Sequence, residues 1–119
     1  MANDPDLRTR TKQMALRIIR LVEALPKGET SKVIGRQLLR CGTSVGANYR
    51  ASKRAKSRAD MINKLKIVEE EADETLYWLE LLIDAELIPE SKLKPLYIEI
   101  EEILAMTVSS IKTLRANAD

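Results

Sequence analysis

The sequence contains no histidine and no phenylalanine, and its 119 residues include one cysteine, four glycines and four prolines. Each shortage removes a class of chemistry. Without histidine, the chain lacks the commonest general base, the commonest metal ligand and the Glu-x-x-His pairs of di-iron bundles. The single Cys41 cannot form an intrachain disulfide, which fits a reduced, cytoplasmic setting. Among apolar neighbours it reads as a small core residue. Tyr49, Tyr77, Tyr97 and Trp78 are the only aromatics, so the core must be aliphatic and platforms for stacking on bases are scarce. No apolar run approaches the roughly 18 residues of a membrane span, and charges occupy Met1 to Arg10 where a signal peptide would be apolar. Neither membrane insertion nor export is expected.

Catalytic patterns are also missing. Gly42-Thr-Ser-Val-Gly46 lacks the lysine of a phosphate-binding loop. Ser44 and Cys41 have no histidine to activate them. Glu69, Glu70, Glu71, Asp73 and Glu74 would splay around a helix axis rather than converge on a cation. The chain reads as a non-enzyme without catalytic residues, metal or cofactor.

What is present is helical spacing from end to end. Leu7, Thr11, Met14, Ile18, Leu21 and Leu25 recur at steps of four and three, after an Asp4-Pro5 start signal and before Pro26. Ile34, Leu38, Cys41, Val45, Asn48 and Ser52 repeat the pattern behind Thr30 or Ser31 as cap. Gly42 and Gly46 each weaken that helix by about 1 kcal/mol against alanine, but the apolar phase survives both, which predicts continuity. Ser57 and Asp60 form a capping-box variant opening a third helix, which carries Met61, Leu65, Val68, Ala72, Leu76, Leu79 and Ile83. Leu93, Leu96, Ile100, Ile103, Thr107, Ile111 and Leu114 mark a fourth. The expected fold is all-α: one domain over 1–119, an antiparallel up-down four-helix bundle with helices near 5–25, 31–55, 58–86 and 90–116.

The net charge of +2 hides a sorted distribution. Lys27 to Lys66 holds eleven basic residues against Glu29 and Asp60, whereas Ile67 to Glu102 holds twelve acids against Lys92 and Lys94. Such halves attract phosphate, or each other, within one chain or between copies. On a helical wheel Lys32, Arg36, Arg40, Arg50 and Arg54 fall within about 80°, opposite the apolar stripe. Lys53, Lys56 and Arg58 extend the patch into the following turn. A solvated polar face, a polyanion site and pairing with a neighbouring subunit are the three readings. For nucleic acid, phosphates would carry the binding, and Tyr49 alone lies near enough in sequence to stack on a base.

Gly35, Gly42 and Gly46 share another face beside Leu39, where a second backbone can approach closely, in the same bundle or in another subunit. We take these four as candidate interface residues. Glu70, Glu74, Tyr77, Trp78 and Leu81 on the third helix form a candidate acidic, aromatic contact surface, with packing against the fourth helix as the alternative. Together they suggest head-to-tail self-association, which closes into a ring when the rotation permits. Asn48, at the edge of the core stripe, and Ser44 read as structural polar residues.

Gln37-Leu-Leu-Arg40-Cys-Gly-Thr-Ser44-Val-Gly-Ala-Asn48-Tyr-Arg50, followed by Glu71-Ala-Asp-Glu74-Thr-Leu-Tyr77-Trp78-Leu79-Glu80-Leu81, resembles the four-helix-bundle proteins of the 23S ribosomal RNA intervening-sequence family. Arg40, Ser44 and Asn48 match the second-helix signature. Ala51 stands where the family commonly has glutamate, which makes this helix more basic. The resemblance implies a small bacterial, non-catalytic bundle that assembles as a homopentamer. A distant relative, the accessory protein of diversity-generating retroelements, binds nucleic acid and a reverse transcriptase. RNA or DNA, a protein partner and further copies of the chain are thus the expected partners.

Overall fold

Residues 3–117 are described by a computed structural model, with side chains described from Leu7 onward. Four helices account for nearly all of them: α1 (Asn3–Glu23), α2 (Glu29–Lys53), α3 (Arg58–Asp84) and α4 (Glu90–Ala116). They form an antiparallel up-down bundle of 51 × 23 × 20 Å. Each helix packs on its sequence neighbours, and α1 closes on α4 over a shorter contact. The outer face of the α1/α2 pair therefore lies across the bundle from that of the α3/α4 pair. No helix among the described residues is long and apolar enough to cross a membrane.

The periodic residues fill the core. Met14, Ile18, Leu38, Cys41, Val45, Val68, Ala72, Leu79, Ile100 and Ile103 are completely buried. Every buried polar side-chain atom described has a hydrogen-bond partner. Thr75 and Thr107 satisfy theirs by donating to the carbonyls of Glu71 at 2.7 Å and Ile103 at 2.8 Å, one turn back.

The helix ends differ from expectation for identifiable reasons. α1 stops at Glu23 because the residue before Pro26 is pushed out of the α region, and Ala24 and Leu25 close the end with tighter bonds to Leu21 and Val22. The side chains of Asp4 and Pro5 lie outside the described residues. α2 starts earlier than Thr30 or Ser31 would allow: its N-cap is Gly28, whose φ of 148° suits only glycine. Ser31 is buried inside the first turn instead.

The helix then runs unbroken through Gly42 and Gly46. Ser57 caps α3 as expected, its Oγ accepting the Asp60 amide at 3.0 Å. Asp60 reaches back to the Lys56 amide at 3.3 Å, not to that of Ser57. At the other end the Glu86 and Leu87 amides donate to Ile83 and Leu82, with Glu86 at φ 61°, a Schellman turn carrying glutamate where glycine is usual.

Candidate nucleic-acid interface

The glycine face has its partner inside the chain. A Cβ on Gly42 would lie 3.0 Å from both γ carbons of Ile18, one on Gly35 would lie 3.2 Å from Val22, and one on Gly46 would lie 3.3 Å from Thr11. These three glycines let α1 settle against α2, which corrects their assignment to a subunit interface. Leu39, beside them, is 37% exposed and lines the groove at the α1–α2 turn with Gly35 and Arg36.

The opposing charges also meet within the chain, along two seams. At the α2/α3 seam Arg40 bonds Glu74 closely and reaches Glu71 at 3.2 Å, while its Nε donates to Gln37 at 3.2 Å. The bond to Glu74, chiefly, raises the Arg40 pKa. The Trp78 indole N–H donates to Glu74 at 3.0 Å and is the main cause of that carboxyl's lowered pKa, followed by Arg40. At the α1/α4 seam Arg10 grips Glu99 through two bonds of 2.8 and 2.7 Å and Glu102 through a third of 2.7 Å. Each seam thus has one arginine straddling two carboxylates. Arg40 is therefore not a free phosphate ligand, and Glu74 is bound within its own chain.

The remaining cations of α2 are differently placed. Lys32, Arg36, Arg50, Arg54 and Arg58 are exposed and make no ion pair with any described residue. The first three lie along the outer ridge of α2 and Arg54 sits at its C-cap, while Lys56 and Arg58 are exposed in and just after the α2–α3 turn. Arg8 and Lys12 of α1 join Arg50 in a groove with Thr43, Gly46 and Ala47, and no carboxylate is among its described lining residues. Arg8 and Lys12 escaped the sequence reading because it followed the basic run from Lys27 onward. Their i, i+4 spacing on α1, on the side that meets the α2 glycines, was the available signal. Lys53 sits elsewhere, its ammonium 5.2 Å from the Tyr49 ring centroid. Tyr49 is only 3% exposed, so it offers no face to a base.

Other sequence-marked residues have local roles in the fold. Asn48 donates to the Ser44 hydroxyl at 2.8 Å and the Ser44 carbonyl at 3.0 Å. Cys41 is fully buried beside Thr75 Oγ1 at 3.2 Å, and burial pushes its thiol pKa up, the opposite of what a nucleophile needs. Trp78 and Leu81 are half-buried against the core, while Glu70 is exposed and Tyr77 is 54% exposed, edge-on to Trp78 with centroids 5.3 Å apart. The α3/α4 groove, on the far side from the basic ridge, gathers Asp73, Glu80 and Glu101 around Tyr97, whose hydroxyl donates to Glu80 at 2.6 Å. That bond, with burial, pushes the tyrosine pKa up to about 12. No group of three or more acidic or cysteine side chains among the described residues is arranged to hold a metal.

The bundle has a known counterpart. The chain is similar to a crystal structure of a protein with unknown function from the S23 ribosomal protein family of Bacteroides thetaiotaomicron VPI-5482. The two are 41% identical, with a TM-score of 0.87, over 92% of this chain and 98% of that one. No curated protein matches the sequence. Residues 4–109 match the family described as 23S rRNA-intervening sequence protein. A match over nearly the whole bundle, with a relative of the same architecture, leads to one conclusion: the chain belongs to the 23S rRNA-intervening sequence protein family.

Proposed function

We propose that the protein is a non-catalytic, oligomeric nucleic-acid-binding bundle whose α1/α2 flank contacts phosphates. One observation carries this reading: Arg50 of α2, with Arg8 and Lys12 of α1, lines one outer groove that has no carboxylate among its described lining residues, and exposed Arg54 follows at the C-cap of α2. Like charges held together without counter-charges favour a polyanion that releases its counterions on binding. Arginine forks suit phosphate oxygens, and the absence of exposed aromatics there argues for backbone contact rather than base reading. The family's description, which names 23S rRNA, supports an RNA setting.

A second reading rests on the oppositely charged outer faces and on Tyr77, exposed on α3. Under it the protein is an interaction scaffold whose copies join basic face to acidic face, in a ring when the rotation closes. Replacing Arg36, Arg50 and Arg54 together by glutamate separates the two. Loss of RNA binding with the oligomer mass unchanged by light scattering supports phosphate contact. Dissociation to monomers supports the scaffold.

A further inference from the structure

We infer that the polyanion engaged by the basic flank is a double-stranded nucleic acid, gripped at two phosphate rows at once. The inference rests on the proposed phosphate contact and names its ligand class.

The cations form two groups rather than one stripe. Lys32 and Arg36 stand near the α1–α2 turn, while Arg50 and Arg54, joined by Arg8 and Lys12, stand at the other end of α2. Between them the exposed ridge carries Leu39, Thr43 and Ala47, and Arg40 is drawn away to Glu71 and Glu74. Fourteen residues separate Arg36 from Arg50, which on an unbroken helix is about 21 Å. Two phosphate rows facing each other across a groove lie on a comparable scale: the B-form major groove is about 12 Å wide, and long arginine side chains leaning toward one another close the difference.

A flexible single strand gains nothing from that spacing, because it can curl onto either cluster alone. It usually gains from stacking on aromatic faces, and here Tyr49 is buried. The arrangement therefore rewards a ligand that is itself stiff. Glu29 lines the groove at the α1–α2 turn, so replacing the Arg50 pair should lower the affinity itself more than replacing the Lys32 pair, although each removes two phosphate contacts.

The test measures fluorescence anisotropy with the full chain at several salt concentrations. Its probes are a 20-base-pair RNA duplex, the corresponding DNA duplex and an unstructured 20-nucleotide oligouridine. The DNA duplex is expected to bind at least about tenfold tighter than the single strand. Lys32→Ala/Arg36→Ala and Arg50→Ala/Arg54→Ala should each lower the duplex salt slope by roughly 2, the signature of two lost phosphate contacts. These positions are exposed, and circular dichroism checks that the variants keep their helices. Equal or tighter binding of the single strand overturns the inference and leaves the proposed function standing, as does a duplex slope that responds to one pair alone. Failure of all three probes to bind overturns both. A preference for the DNA duplex supports the inference, whereas a preference for the RNA duplex overturns the two-row grip, because the A-form major groove is too narrow for that spacing.

Discussion

Replacing Gly42 by alanine sets two effects of known size against each other. Alanine in place of glycine inside a helix favours folding by about 1 kcal/mol. The added Cβ, however, would sit 3.0 Å from both γ carbons of Ile18 and 3.3 Å from its β carbon. Ile18 is completely buried, and being β-branched it keeps a heavy atom near the contact in most rotamers. Overpacking of this kind costs about 1–3 kcal/mol, so a net loss of about 1 kcal/mol is expected. For a chain of this length that lowers the melting temperature by roughly 4 °C.

Thermal and urea denaturation followed by circular dichroism measure the effect, and a double-mutant cycle with Ile18→Ala assigns it. With the γ carbons gone, Gly42→Ala should stabilise, giving a coupling of at least about 1 kcal/mol. Stabilisation in both backgrounds would refute the seam. So would an unchanged melting temperature accompanied by an altered oligomer mass.

Other expectations follow from single contacts. Ser57→Ala removes the acceptor for the Asp60 amide and should destabilise by about 1 kcal/mol in the same denaturation assays. Glu86→Gly relieves a left-handed glutamate in the Schellman turn and should raise the melting temperature by roughly 2–4 °C. Glu74 and Glu99 have lowered folded-state pKa values, so their stabilisation is present above the unfolded carboxylate range and is lost as pH falls through the folded values. Melting temperature should therefore drop on acidification below about pH 4.5, and less steeply in Glu99→Gln. Tyr97 is pushed up to about 12, so its contribution is full below the ordinary tyrosine range and fades above it. Ultraviolet titration should show a late tyrosinate that moves earlier in Glu80→Gln.

Local features of the fold were legible in the sequence because they depend on near neighbours. The three-and-four spacing located all four helices, and the same phase carried α2 through Gly42 and Gly46. Ser57 and Asp60 announced their cap. Partners remote in sequence were not legible. A wheel shows that Gly42 faces sideways, but not that Ile18 fills the space. Arg40 looked like one cation among many because Glu71 and Glu74 reach it only once α3 folds back. Arg10 and Glu99, 89 residues apart, were hidden for the same reason. Tyr49 seemed available to a base until the end of the bundle closed over it. Charge sorting by segment was visible from the start, but the sequence did not show which cations the opposite segment would neutralise.

The salt dependence of RNA affinity tests the central claim, phosphate binding by the unpaired α1/α2 cations, most directly. With about five phosphates neutralised, log affinity plotted against log salt should fall with a slope near −4 to −5. An affinity that stays flat between about 50 and 200 mM salt would contradict it.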